Sequence, residues 1–206
     1  MKNLMKLISV IFHPLLVVPY ISVLLALFLP QAYAVISPEV MWRVVIMLVL
    51  LTSLFPSLFV LGLWMFTPWV SDLELSERKE RILPFMVLIV FYGVAAKFLV
   101  IDLNLGYMVK TLMVSAVVMV LIMVLITLKF KISIHTAAIW SLAGTCIGLA
   151  LKFPESAFDQ IGLAAIISGG LIGTSRLYLG YHRPVEVWVG SIYGFAFGCL
   201  AVLFLI

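Results

Sequence analysis

The stretch Ser175–Glu186 carries the densest group of reactive side chains between two long apolar segments, and it reads SRLYLGYHRPVE. Its two arginines can bind an anion, and His182 can act as a nucleophile, an acid or a base. Glu186 follows four residues after His182, which places both side chains on one face if this part is helical. Pro184 suits a first helical turn, so we expect His182 at the entry to the last helix, where backbone N–H groups favour anions. The alternative is an ordinary cytoplasmic loop in which arginine fixes the topology.

Two other polar stretches could contribute to the same chemistry. Residues 71–81 hold seven of the chain's 22 charged residues, among them the cations Arg78, Lys79 and Arg81. These cations could clamp a phosphate, since the arginine fork matches phosphate oxygens, or they could belong to a solvated loop. Ser133 and His135 lie further along the chain, where another apolar segment begins. They could contribute a hydroxyl and a second histidine to the same site, or they could be structural residues at a helix end.

The elements that position these residues must be membrane helices. The chain of 206 residues is 65% hydrophobic and 11% charged, with a mean hydropathy of +1.28. Apolar runs of about 20 residues recur, and irregular backbone cannot face lipid. The sequence therefore predicts an all-α polytopic transmembrane bundle of six to seven spans, in a single domain over 1–206 with a motif-bearing core of about 71–206. Cys146 and Cys199 lie inside apolar runs and are interpreted as core residues.

If the chain has seven spans, the three polar stretches lie on the same side of the membrane. We expect a short interfacial helix near the N-terminus, followed by seven spans. They lie at about 8–29, 41–66, 84–103, 107–130, 137–151, 160–174 and 184–206. The sixth is short for a span, so its helix should continue towards residue 181. Pro56 should kink the second span, and spaced glycines in the last two should let helices approach closely. Two spans separate each polar stretch from the next, so all three share one face, while 30–40, 102–106 and 152–159 share the other. Lys2 and Lys6 favour a cytoplasmic N-terminus and a cytoplasmic site. Because a phosphate-binding face is basic for catalytic reasons as well, a site on the outer face stays open as the alternative.

Histidines, a carboxylate, a hydroxyl and fixed cations suit phosphoryl transfer, where positioning and charge stabilisation do most of the work. His182 could form a phosphohistidine if Glu186 orients its ring. His135 could protonate the leaving oxygen and later activate water. His13, within the first span, is either a packed histidine or a polar group behind the site. A substrate for such a site would be an amphiphile that arrives laterally between helices.

The motif Ser175-Arg176-x5-His182-x3-Glu186 resembles the third signature, Ser-Arg-x5-His-x3-Asp, of the type-2 phosphatidic acid phosphatase superfamily, which shares its core with vanadium haloperoxidases. Ile132-Ser133-Ile134-His135 is similar to the second signature, Pro-Ser-Gly-His, without its Pro and Gly. Arg78-Lys79-Glu80-Arg81-Ile82-Leu83-Pro84 stands where the first signature, Lys-x6-Arg-Pro, is expected.

The resemblance implies roles for single residues. His182 would be the nucleophile, Glu186 its orienting carboxylate and His135 the general acid. Arg176 and Ser133 would bind phosphate oxygens, together with Arg78, Lys79 and Arg81 by their order in the chain. Neither a metal nor another cofactor would be needed.

The expected function is a lipid phosphatase in the bacterial inner membrane, with no nucleic-acid partner. Its substrate would be a polyprenyl diphosphate, phosphatidic acid, phosphatidylglycerol phosphate or a lipid A phosphate. The alternatives are a lipid phosphotransferase with an alcohol acceptor and an inactive protein that binds or transports anionic lipid. The oligomeric state stays open.

Overall fold

The computed structural model describes residues 1–75, 77–99, 103 and 105–206, and these residues form helices and turns but no strand. Six helical stretches among them are long and apolar enough to cross a membrane. The chain is therefore an integral membrane protein, and the predicted all-α, polytopic helical class is confirmed. The helices are α1 Lys2–Ile11, α2 Val17–Phe28, α3 Pro38–Val49, α4 Phe55–Phe66, α5 Ile82–Lys97, α6 Tyr107–Thr127, α7 Ile134–Lys152, α8 Phe158–Tyr178 and α9 Pro184–Leu205.

The chain divides into two compact units. The terminal unit comprises residues 1–17 and 132–206, and the central unit comprises residues 18–131. The expectation of a single domain stays a prediction, as does the common membrane face of polar stretches that belong to different units. The expected joint at 102–106 includes Asp102 and Asn104, which lie outside the described residues.

In the central unit, the second predicted span is one continuous helical stretch with a π-helical turn at Leu50–Leu54. Pro56 explains this position, since a residue without an N–H cannot donate to the carbonyl four residues earlier. The amide of Phe55 instead donates to the carbonyl of Leu50, five residues back. The structure therefore has a π turn just before Pro56, while the kink predicted at this residue stays a prediction. The third predicted span corresponds to α5, whose 16 residues are fewer than in the six long stretches.

The terminal unit begins with a helix that breaks within the first predicted span. α1 ends at Ile11, and His13 is extended (φ −65°, ψ 139°) before a 3₁₀ turn at Pro14–Leu16. A residue that precedes proline is pushed out of the α region, which accounts for the break. The span predicted over 8–29 corresponds to the long apolar stretch Lys2–Phe28, and this break divides the stretch into α1 and α2. The last three spans follow α7, α8 and α9 closely, and α8 continues to Tyr178 as expected.

Glycines bring α7 and α9 into backbone contact. A Cβ at Gly194 would overlap the carbonyl oxygen of Ala137, and one at Gly198 would overlap that of Ser141. A Cβ at Gly190 would lie 2.5 Å from Oγ1 of Thr136. The predicted close approach at the glycines of α9 is confirmed. The contact fixes the start of α9 beside the start of α7, where the candidate residues lie.

Candidate functional site

His182 and Glu186 form a buried pair at the start of α9. Nδ1 of His182 lies 2.7 Å from Oε2 of Glu186, and the two side chains are 2% and 11% exposed. Because a carboxylate oxygen only accepts, Nδ1 donates, and the ring is held through that nitrogen. The same Oε2 accepts the backbone N–H of Arg183 at 3.3 Å, which satisfies a donor at the helix N-terminus. The pairing that the spacing of His182 and Glu186 predicts is therefore present.

Arg176 lies in the last turn of α8 and leads into the turn that carries His182. Its side chain is buried, with 1% of the residue exposed, and its guanidinium carbon lies 4.4 Å from the ring centroid of Tyr181. A guanidinium over an aromatic face gains electrostatic stabilisation. Gly180 makes the turn possible with φ +72°, a conformation that glycine adopts without a steric penalty. The backbone N–H of Tyr181 donates to the carbonyl of Arg176 at 3.2 Å and closes the turn.

Ser133 and His135 stand at the start of α7, next to the start of α9. The backbone N–H of Ser133 donates to the carbonyl of Glu186 at 3.2 Å. The hydroxyl of Thr136 lies 3.1 Å from the carbonyl oxygen of Ser133 and 3.3 Å from that of Val187. Oγ of Ser133 caps α7 by accepting the Thr136 N–H at 3.5 Å, and Ser133 is fully buried. The residues that resemble the second and third signatures therefore meet at one end of the terminal unit.

The N-terminal segment reaches the same end, which the sequence did not reveal. Oγ of Ser175 donates to the carbonyl of Met5 at 2.7 Å and lies 2.9 Å from Oγ of Ser9. The ring of His13 meets that of His135 edge to face, with centroids 5.5 Å apart and an angle of 84°. The span count places Lys2 and Lys6 on the same membrane face as the site, but it predicts no contact between the N-terminal segment and α7 or α8.

The basic residues near position 80 belong to the central unit, where they hold a loop. Nη1 of Arg78 donates to the carbonyl of Leu128 at 2.7 Å, at the end of α6. Nε of Arg81 donates to the carbonyl of Leu75 at 2.8 Å, and Arg81 is 2% exposed. Lys79 begins a short 3₁₀ turn that leads into α5. These contacts fit the loop interpretation, and the clamp role of the three cations stays a prediction.

The terminal unit therefore assembles an oriented imidazole, a second histidine, a buried guanidinium and a buried hydroxyl. Fixed cations and helix N-termini favour an oxyanion, and a histidine held through Nδ1 has a defined ring orientation. Among residues 1–75, 77–99, 103 and 105–206, no group of three or more His, Cys, Asp or Glu side chains could hold a metal ion.

Comparisons with protein-family models, with curated proteins and with solved structures give no match to this chain.

Proposed function

We propose that the protein is a membrane lipid phosphatase that hydrolyses a phosphate monoester or diphosphate of a lipid through a phosphohistidine intermediate. The observation that carries the proposal is the 2.7 Å hydrogen bond between Nδ1 of His182 and Oε2 of Glu186. It gives the imidazole the orientation that a nucleophilic histidine needs, and it lies where the resemblance expects it.

The surrounding groups supply the remaining parts of the reaction. Arg176 is a buried cation six residues before His182, suited to equatorial phosphate oxygens as a planar fork. Ser133 uses its oxygen lone pair to cap α7, so its own O–H can donate to a phosphate oxygen. His135 is half-buried at the start of the same helix and is the candidate proton donor.

In the first step, Nε2 of His182 attacks phosphorus, and the bond between phosphorus and the lipid oxygen breaks. His135 donates its proton to that oxygen, so a lipid alcohol leaves, or a lipid monophosphate if the substrate is a diphosphate. In the second step, water loses a proton to His135 and attacks the phosphohistidine, which releases inorganic phosphate and restores both histidines. Glu186 keeps Nδ1 protonated and stabilises the positive charge on the ring in both steps.

Access to His182 requires movement, because its side chain is 2% exposed. The turn between α8 and α9, which contains the exposed Gly180, is the element that would have to open. A lipid headgroup that enters from the bilayer surface would displace this turn. Bilayer entry would select amphiphilic phosphates over soluble ones.

The test is phosphate release by the purified protein in detergent, with a chelator present. The panel contains a polyprenyl diphosphate, phosphatidic acid, phosphatidylglycerol phosphate and a lipid A phosphate, each beside the variant His182→Ala. We expect release from at least one lipid and its loss in the variant, together with a phosphoprotein that is acid-labile and base-stable in wild type. Added glycerol or a lipid alcohol separates hydrolysis from transfer, because a phosphotransferase would form a new phosphate ester.

Two results would overturn the proposal. If folded wild-type protein releases no phosphate from any lipid, the phosphatase proposal fails and the alternative, a protein that binds or transports anionic lipid, takes its place. If His182→Ala retains full release, the His182–Glu186 pair is a structural link between the turn and α9. Size-exclusion profiles and Tm values of both proteins establish that each comparison is made on folded material.

A further inference from the structure

His13 is the third histidine of the chain and lies outside the motifs that the proposed function uses. It occupies the break between α1 and α2, in an extended conformation fixed by Pro14. Its Nδ1 accepts the backbone N–H of Leu15 at 3.4 Å, so the side chain caps the 3₁₀ turn that follows. In neutral His13 the proton therefore resides on Nε2.

The ring of His13 packs against the ring of His135. Their centroids are 5.5 Å apart at an angle of 84°, the edge-to-face arrangement that aromatic rings prefer. His135 is in the first turn of α7, and the 3₁₀ turn Pro14–Leu16 also contacts α7. The N-terminal segment therefore supplies one side of the pocket in which the His135 ring sits.

A second tie holds this segment in place. Oγ of Ser175 donates to the carbonyl of Met5 and lies 2.9 Å from Oγ of Ser9, both in α1. Ser175 is fully buried and directly precedes Arg176. The segment is thus fixed to α8 beside the buried arginine and to α7 through His13.

We propose that His13 is a positioning residue that fixes the His135 imidazole by edge-to-face contact, so that His135 can deliver a proton to the leaving lipid oxygen. The inference rests on the proposed function for that proton transfer, whereas the ring contact stands on the geometry alone. His13 does not touch the reacting atoms in this role. Residues 1–17 thereby belong to the machinery of the site.

Two variants separate the ring contact from the helix cap. His13→Phe keeps an aromatic edge against His135 but loses the acceptor for the Leu15 N–H. His13→Asn keeps a side-chain acceptor, since asparagine caps well, but loses the ring. If His13 acts through its ring, Phe preserves function and Asn does not, whereas a purely structural cap predicts the reverse.

The first measurement is NMR of protein labelled in its three histidine rings, with signals assigned by substitution. We expect His13→Asn to shift and broaden the Cε1–H signal of His135, His13→Phe to change it much less, and the signal of His182 to stay in place. An unchanged His135 signal in His13→Asn would overturn the contact. This measurement needs no substrate.

The second measurement is the rate of phosphate release with two leaving groups. A lipid alcohol is a poor leaving group and needs a proton donor, whereas a p-nitrophenolate leaves readily without one. We therefore expect His13→Asn to lower kcat/KM, which reports formation of the phosphohistidine and not its hydrolysis, about 10-fold on a lipid monoester, a part of the ~10²–10⁴-fold supplied by general acid catalysis. The kcat/KM for an amphiphilic alkyl-substituted p-nitrophenyl phosphate should stay nearly unaffected. Equal losses on both substrates, or a loss in His13→Phe alone, would overturn the positioning role.

The two proposals fail in different ways. Wild-type protein without phosphate release on any substrate would overturn the proposed function and the catalytic purpose of His13, while the spectra would still decide the ring contact. Release that depends on His182 but not on His13 would leave the phosphatase standing and remove this inference alone.

Discussion

One oxygen of Glu186 serves both the site and the fold. Oε2 accepts from Nδ1 of His182 and from the backbone N–H of Arg183, which ties the imidazole to the first turn of α9. Glutamate at the third helical position suits this double role, because its longer chain reaches back to the residue before the helix. The resemblance expects aspartate here, whereas in this chain the glutamate carboxylate makes both contacts.

The first prediction concerns this carboxylate. Glu186→Gln keeps the size but replaces an ionised acceptor by an amide, so the His182 ring loses its charged partner. We expect a loss of phosphate release of about 10–100-fold, the size seen when a group that orients a functional histidine is removed. Glu186→Asp keeps the charge and should lose less. A fully active Glu186→Gln protein would contradict the orienting role.

The second prediction contrasts the two arginines that flank the turn between α8 and α9. Arg176 is 1% exposed and lies over Tyr181, whereas Arg183 is exposed. Arg176→Lys keeps the charge but loses the fork and the stacking, so we expect the KM for lipid phosphate to rise about 10-fold or more, the equivalent of ~1.4 kcal/mol. Arg183→Lys is the matched control and should behave as wild type. Equal effects in both variants would exclude a specific clamp at Arg176.

The sequence could locate the motif residues because their chemistry follows a short spacing. His182 and Glu186 are four residues apart, and that interval already places them on one helical face. The pairs Ser9–Ser175 and His13–His135 could not be found in this way, since each joins residues from opposite ends of the chain. No local pattern carries such a contact, and serine in an apolar helix predicts only a hydrogen bond to its own backbone.

At the scale of elements, the contact between α7 and α9 decides whether the site exists. The glycines of α9 allow backbone to touch backbone, and Gly144 of α7 plays the same part against Phe195. This contact holds the N–H of Ser133 within 3.2 Å of the carbonyl of Glu186. The spacing of glycines at 190, 194 and 198 made the approach predictable, but the partner helix could not be identified from it.

The third prediction follows from this contact. Gly194→Ala places a methyl group against the carbonyl of Ala137, which is backbone and cannot move aside alone. We expect a loss of stability of about 1–3 kcal/mol, as for an overpacked core, and a Tm lower by several degrees. Gly170→Ala in α8 is the control, because nothing lies within 4 Å of its Cβ position. Equal Tm values for the two variants would show that the helices can separate without cost.

The prolines predicted the positions at which helical geometry is broken, but not the kind of turn that forms there. Pro14 and Pro56 both lie in long apolar runs that hydropathy alone reads as single spans. At Pro14 the chain leaves the helix for a 3₁₀ turn, while at Pro56 it absorbs the missing donor in a π turn. The difference depends on neighbours: His13 caps the new turn at the first site, and no comparable side-chain cap begins the π turn at Leu50.

At the scale of the molecule, the link between α1 and α8 places the N-terminus and the Ser175–Glu186 stretch at the same end of the terminal unit. The turn at 153–157 lies at the other end of α7 and α8. The side on which the N-terminus resides is therefore the side of the site. Lys2 and Lys6 favour the cytoplasm.

The fourth prediction tests this sidedness with single cysteines in a chain whose Cys146 and Cys199 have been replaced. Cysteines at the exposed positions Lys2 and Arg183 should resist a membrane-impermeant maleimide in intact cells and react after lysis. A cysteine at Glu155, exposed in the opposite turn, should react in intact cells. Reaction of only one of the first two would contradict the link between α1 and α8, and reaction of both would reverse the sidedness.

The terminal unit is discontinuous in the chain, since residues 18–131 separate its two parts. During synthesis at about 5–20 residues per second, roughly 10 s pass between the appearance of α1 and that of α7. Throughout that interval the carbonyl of Met5 and the hydroxyl of Ser9 have no Ser175 to meet. The exposed apolar side chains of α1 lie beside Lys2 and Lys6, so α1 can bind at the membrane surface during this interval. The candidate site is therefore completed only when the last two helices enter the bilayer, so an unfinished chain lacks the site to which the proposed phosphatase activity is assigned.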